Sequence, residues 1–170
     1  MTDLHIRLAQ PDDYDAIVRL SVAAYRGDGQ LTDTNTEYAA TLADIATRAA
    51  DAEVLVAVDG ATDAVLGAVT LTPYGNRYAD VTEPGEGGFR MLAVDPAAQG
   101  RGVGEALVRA CVAKATADGC HAVAIFSRDF ATDAFRLYSR LGFVRIPERD
   151  RQINDRVSLI AWRLPLPASF

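Results

Sequence analysis

The stretch VDPAAQGRGVGEALVRA, Val94 to Ala110, sets three glycines at alternate positions: Gly100, Gly102 and Gly104. The apolar run FRMLAV precedes them, and Val103, Leu107, Ala110 and Cys111 follow as an apolar stripe at helical spacing. The run reads as a buried central strand, and the stripe as a helix that ends before Gly119. Glycine loses more backbone entropy on folding than any other residue, so three in one turn are costly. A strand that enters a helix through such a turn aims several backbone N–H groups at one point, where the helix dipole adds positive potential. Side chains there would hold an anion away from the amides. Arg101 adds a cation at the rim, and Glu105, near the same helix end, is expected to point aside. Glycine spacing alone leaves two readings open, a phosphate cradle and a plain glycine-rich connection.

The rest of the chain supplies a frame for that turn. LHIRLA alternates and reads as a strand; Pro11, Asp12 and Asp13 then suit the first turn of a helix that continues through Ile17, Leu20 and Ala24. RGDGQLTDTNTE breaks the pattern, and a second helix is expected over Glu37 to Ala50. EVLVAVDG and AVLGAVTL, with Asp59-Gly60 between them, read as a hairpin. TPYGNRYADVTEPGEGG reads as a long polar loop. HAVAIF is a further apolar strand, TDAFRLYSRLGF a helix stopped by Gly142, and VSLIAWRL a closing strand. Early strands joined by tight turns should pair antiparallel, and the strand–helix–strand unit around the glycines should pair parallel through a right-handed crossover. A mixed α+β domain with a central sheet follows. With 170 residues and no repeat or low-complexity tract, a single domain over residues 1–170 is expected.

Charge and composition narrow the function. A net charge of −6 argues against general binding of nucleic acid or anionic membranes. Two cysteines, Cys111 and Cys120, and an N-terminal MTDLHIRLAQPDD without an apolar core point to reduced thiols in a cytoplasmic protein. No apolar run is long enough to span a bilayer. His5 and His121 have no partner at ligand spacing, so no metal site is expected. Cys111 and Trp162 read as core residues. Two familiar phosphate motifs fail. No lysine completes a P-loop, and Gly100-x-Gly102-x-Gly104 is not the G-x-G-x-x-G of a dinucleotide site.

Gln99, Gly102 and Gly104 after MLAVDP do fit Q-x-x-G-x-G, and here the sequence resembles the GNAT superfamily of acyl-CoA N-acyltransferases. AFRLYSRLGF, Ala134 to Phe143, is similar to that family's second signature, and IRLAQPDDYDAIVRL to its opening. The resemblance implies a mostly antiparallel sheet of about six to seven strands with about four helices, splayed between the fourth and fifth strands. It implies acetyl-CoA as co-substrate. Main-chain groups of Leu92, Ala93 and Val94 would bind its pantetheine arm, and the amides of Gln99, Gly100, Arg101, Gly102, Val103 and Gly104 its pyrophosphate. A backbone N–H on the same strand would polarise the thioester carbonyl.

Tyr138 occupies the place of the acid that protonates the departing thiolate. From spacing alone the better reading is an aromatic packed with Phe135; the resemblance favours the acid. The glutamate that many relatives use as base falls at Gly88, so Glu86, just upstream with Glu83, is the candidate. Its alternative is a solvated loop carboxylate. The pantetheine-binding asparagine of relatives is Ala131 here, with Ser127 or Asp133 as substitutes. The implied partner is an amine on a small molecule or a protein N-terminus. It would be met by Tyr25 to Asp33, Tyr74 to Glu86 and Pro147 to Asp155, where Asp28, Asp33 and Asp80 would suit a cation. The resemblance also admits a homodimer. Two further readings compete with the enzyme. One is a non-catalytic acyl-CoA sensor or docking module. The other is a nucleotide-dependent oxidoreductase, for which the fingerprint is missing.

Overall fold

Aliphatic-rich runs at Leu4–Leu8 (β1), Val54–Asp59 (β2) and Val65–Leu71 (β3) form an antiparallel set, with Leu8 opposite Leu55 and Val54 opposite Thr70. The computed structural model describes residues 3–27, 29 and 36–167. The chain gathers into two units, residues 1–71 with 91–110 and residues 72–90 with 111–170.

In the first unit the sheet order is β1-β2-β3-β5, where β5 is Phe89–Val94. Pro11–Asp13 forms one tight 3-10 turn before α1, Tyr14–Gly27. Asp13 closes that turn: it accepts the Gln10 N–H at 2.8 Å and both Arg7 Nη groups at 2.7 and 3.0 Å. The helix expected over Glu37 to Ala50 is two helices, α2 (Thr36–Ala43) and α3 (Ile45–Asp51). The break has a local cause. Asp44 leaves the helical region at φ −86°, ψ 58°, and the buried Arg48 Nη1 donates to the Thr41 carbonyl in the last turn of α2. Ile17, Ile45, Val54, Val56 and Val58 pack as one core cluster; Leu20, Tyr25, Leu42, Met91 and Ala93 pack as a second.

α4 runs from Val103 to Ala117. Its first turn rests on β3 through Gly67. A Cβ there would lie 2.8 Å from Val103 Cγ1, 2.9 Å from the Ala93 carbonyl and 3.0 Å from Leu107 Cδ1. The glycine of AVLGAVTL therefore admits the helix start that follows the glycine turn.

In the second unit the sheet order is β4-β6-β9-β7, with β8 also on β9. These strands are Glu86–Gly87 (β4), Ala122–Arg128 (β6), Val144–Arg145 (β7), Arg151–Asn154 (β8) and Val157–Pro165 (β9). α5 spans Thr132–Arg140 and ends at Leu141, with Gly142 left-handed at φ 97°. β6 and β9 pair antiparallel, Ile125 opposite Trp162. Trp162 sits in an aromatic core with Phe135 and Tyr138, and Phe89 and Phe143 close around Tyr138.

The fold is mixed α+β with mostly antiparallel pairing, as the resemblance implies, though more finely segmented. The expected polar loop before FRMLAV contains a strand, β4. The parallel crossover also differs: β6 pairs parallel with β4, Glu86 opposite Ala122, while β5 joins the first sheet beside β3. Gly88 lies between the two pairings, and its carbonyl accepts the Thr72 N–H at 2.8 Å, just past the end of β3.

Candidate active site

The glycine turn is open. Asp95 caps it by accepting the Ala97 N–H, Pro96–Ala98 makes one 3-10 turn, and Gln99 is extended and exposed. Gly100 and Gly102 are left-handed, φ 81° and 79°, and a Cβ on either would meet nothing within 4 Å. The Gly102 carbonyl accepts the first helical bond, from Ala106 N–H at 3.0 Å. The N–H groups just ahead, in the first turn with Val103 and Gly104, have no acceptor within their own helix. Two left-handed glycines thus turn the chain while leaving space over unpaired donors, which is where an anion fits. Arg101 does not hang loose at the rim: its Nη2 pairs with Asp59 Oδ2 at 2.8 Å, tying the turn to the β2–β3 hairpin. Glu105 reaches Arg109 one helical turn on, at 3.4 Å.

The strand feeding this turn contains a feature invisible in the sequence. Met91 is left-handed, φ 57°, inside β5. A non-glycine residue there is strained, and strain of this kind collects at ligand and catalytic sites. Met91 and Ala93 face the core, while Leu92 and Val94 are half-buried. Leu92 through Gly104 is thus one continuous strand, turn and helix start within the first unit.

Tyr138, Glu86 and Asp80 all lie in the second unit. Tyr138 is 5% exposed, its ring 5.6 Å from Phe143, 6.1 Å from Phe89 and 6.2 Å from Trp162. Burial pushes its phenol well above the usual range, and the nearby buried Cys111, itself pushed up to about 12, adds to this. The hydroxyl therefore stays protonated at neutral pH.

Glu86 is not the solvated loop carboxylate of the sequence reading. It is 2% exposed in β4, and four hydrogen bonds converge on it. Arg149 Nη1 and Nη2 donate at 2.7 and 3.2 Å, Arg163 Nε at 2.8 Å and the Glu83 N–H at 2.8 Å. Burial alone would raise its pKa, but the two guanidiniums win and hold it at about 2. Such a carboxylate is a poor proton acceptor near pH 7. Nor does it meet Tyr138. Glu86 sits opposite Ala122, and Trp162, against Tyr138, sits opposite Ile125, three residues and about 10 Å along β6.

Gly88, where relatives carry the base, has no room for a side chain: a Cβ would lie 2.7 Å from Thr82 Cγ2, 2.8 Å from the Ala124 carbonyl and 2.9 Å from the Thr72 carbonyl. Ser127 is buried and accepts the Trp162 Nε1–H at 2.9 Å, while Asp133 is fully exposed beside Arg136. Of the expected acceptor-side acids, Asp28 and Asp33 lie outside the described residues, and Asp80 pairs with Arg90 at 3.4 Å. Sequence reasoning missed Arg149 and Arg163, which lie 63 and 77 residues from Glu86 and carry no motif. Among the described residues, no group of His, Cys, Asp and Glu is placed to hold a metal ion, and no helix is long and apolar enough to cross a membrane.

An α+β frame whose strand passes a strained residue into an open, glycine-lined helix start is suited to an anionic ligand at that turn. The acetyltransferase (GNAT) family profile matches residues 14–143, and the chain belongs to that family. Among solved structures it is similar to a GNAT-family protein from Desulfovibrio desulfuricans, at 21% identity and TM-score 0.72 over 96% of this chain and 99% of that one. A GCN5-related N-acetyltransferase from Kribbella flavida matches at 24% identity and TM-score 0.67, over 96% and 98%. A Salmonella typhimurium protein solved with its cofactor acetyl-CoA matches at 21% identity and TM-score 0.66, over 96% and 94%. No curated protein sequence matches significantly.

Proposed function

We propose that this acetyltransferase moves the acetyl group of acetyl-CoA to a primary amine, on a small molecule or a protein N-terminus, by direct attack of the amine on the thioester. The observation that carries the cofactor assignment is the open, left-handed pair Gly100 and Gly102 ahead of α4. The Salmonella neighbour, with acetyl-CoA on the same fold, supports it. In this reading the amides of Gln99, Gly100, Arg101, Gly102, Val103 and Gly104 hold the pyrophosphate. Main-chain groups of Leu92, Ala93 and Val94 hold the pantetheine, and a backbone N–H of the same strand polarises the thioester carbonyl.

Acetyl-CoA supplies an acyl group on a good leaving sulfur. Tyr138 donates its hydroxyl proton as charge builds on that sulfur. Burial makes the phenol a weaker acid than in water. Glu86 is assigned to positioning, because it ties β4 to Arg149 and Arg163. The two units each consist of two chain segments, which supports a single functional domain over 1–170. The deciding experiment is thiol release from acetyl-CoA across a panel of amines. Steady release with an amine and none without it supports transfer. Acetyl-CoA binding without release by any amine would leave the non-catalytic module.

A further inference from the structure

The glycine turn is held at both ends and barely packed in its middle. At one end the Asp95 N–H donates to the Leu66 carbonyl at 2.8 Å, and at the other Val103 lies over Gly67, so β3 carries both ends. Between them, a Cβ at Gly100 or Gly102 would meet nothing within 4 Å, so packing fixes neither glycine. Arg101 reaches from this middle to the β2–β3 hairpin of the same unit, where its Nη2 lies 2.8 Å from Asp59 Oδ2. We infer that Asp59 is a positioning residue for acetyl-CoA: acting through Arg101, it sets the glycine turn in the geometry that receives the pyrophosphate. The inference rests on the proposed function above and deepens it.

Asp59 is itself firmly placed. It is the last residue of β2 and lies opposite Leu4 of β1. Its N–H donates to the Ala64 carbonyl at 2.9 Å, and its own carbonyl accepts the Asp63 N–H at 2.8 Å. Its Oδ1 accepts the Ala61 and Thr62 N–H groups at 2.8 and 3.3 Å. One carboxylate thus closes the hairpin with one oxygen and grips the glycine turn, 42 residues on, with the other. The pair is partly exposed, 18% at Asp59 and 36% at Arg101, which limits its effect to a few-fold.

The two left-handed glycines make that grip matter. Glycine moves among backbone conformations at little steric cost, and Gly100 and Gly102 stand on either side of Arg101. Backbone amides hold an anion only when they point together, and a turn that must be ordered on binding loses affinity to the ordering. The Arg101 tether supplies that order in advance. Charge alone argues for the opposite sign: Asp59 is an acid near a phosphate site, so its loss should strengthen binding on Coulombic grounds. Arg101 sits against the carboxylate at 2.8 Å, so at the phosphate the two charges largely cancel, and ordering decides the sign.

Asp59→Asn isolates the effect. Asparagine can still cap Ala61 and Thr62 with its side-chain oxygen, while the charge that grips Arg101 is gone. Calorimetry should show acetyl-CoA bound about two- to fivefold more weakly. In turnover, KM for acetyl-CoA should rise by the same factor, with kcat and KM for the amine unchanged. Nitrogen-15 relaxation of the unliganded protein gives a readout that a merely structural role would not move. Order parameters at Gly100, Arg101 and Gly102 should fall from about 0.85 to below about 0.6, while those of β2 and β3 hold. Arg101→Gln breaks the pair from the other side, and adding Asp59→Asn to it should weaken binding no further. A folded Asp59→Asn protein with equal or tighter affinity overturns the inference, as does a full additional loss in the double variant. If Asp59→Asn does not fold, the order parameters of Arg101→Gln decide, and a turn as rigid as wild type overturns the inference. A wild-type chain that binds no acetyl-CoA overturns the proposed cofactor, and this inference with it. Wild-type binding that is indifferent to Asp59 overturns the inference only.

Discussion

Glu86 and Tyr138 are both buried, and burial leaves them with opposite tendencies. Glu86 has two guanidiniums to answer its charge, so it holds its proton weakly; Tyr138 has aromatic rings and a thiol, so it holds its proton tightly. The first difference predicts a stability profile. The native pKa of Glu86, about 2, lies below its ordinary 4.5. Its pairing therefore stabilises the fold fully above about pH 4.5 and is lost as pH falls toward 2. That shift corresponds to about 3 kcal/mol. Glu86→Gln should cost about 2–4 kcal/mol at pH 7, since it leaves Arg149 and Arg163 poorly paired, and should flatten the acid side of the profile. Urea unfolding at pH 7, 4 and 3 measures both, and parallel profiles for the two proteins would refute the pairing. The second difference predicts a kinetic effect. Tyr138→Phe keeps the ring contacts and removes only the hydroxyl. It should lower kcat and kcat/KM together by about 10²–10⁴-fold while acetyl-CoA affinity holds. The defect should shrink with an acyl donor whose thiol has a lower pKa. A folded Tyr138→Phe protein with near wild-type turnover would return the residue to a packing role.

At the scale of elements, what was legible in the sequence was local. The glycine turn announces itself because every residue it needs lies within six positions, and the β2–β3 hairpin because its turn former is contiguous with its strands. The split at Asp44 was hidden because it depends on Arg48 folding back onto Thr41. The strand at Glu86–Gly87 was hidden because its partners, Ala122 and Val123, come from another part of the chain. The setting of Glu86 was hidden for the same reason. The left-handed Met91 has no sequence signature at all. The turn itself allows a controlled test at Gly102. Its φ of 79° strains any side chain, although a Cβ would meet open space. Asparagine tolerates that conformation best among uncharged residues, and aspartate has nearly the same shape. Gly102→Asn and Gly102→Asp should each lose about 1 kcal/mol of stability. Only the aspartate should remove acetyl-CoA binding, because its charge would occupy the phosphate's place. Calorimetric affinities beside melting curves separate strain from charge. Equal affinities for the two variants would mean that no phosphate sits over this turn.

For the whole molecule, the sharpest question is which ligand the fold is built to hold. The glycines have the alternate spacing of Gly100, Gly102 and Gly104 and lack the dinucleotide fingerprint. The open turn therefore suits a pyrophosphate approached from a strand end, and the chain should discriminate between two cofactors that share one. A ligand that binds the native state alone stabilises it by about 2.7 kcal/mol at a hundred times its dissociation constant. For a chain of this size each kcal/mol moves the melting point by about 2–4 °C, so acetyl-CoA should raise it by about 5–10 °C. NAD carries a pyrophosphate too, but no pantetheine arm to lie along Leu92, Ala93 and Val94, and should leave the melting point nearly unchanged. Desulfo-coenzyme A keeps the pantetheine and removes the sulfur. It should shift the melting point almost as far as acetyl-CoA, which would place the binding energy in the strand and the turn. Differential scanning fluorimetry at matched ligand concentrations reads all three. Equal shifts with NAD and acetyl-CoA would reduce the turn to a general phosphate site, and no shift with acetyl-CoA would remove the cofactor assignment.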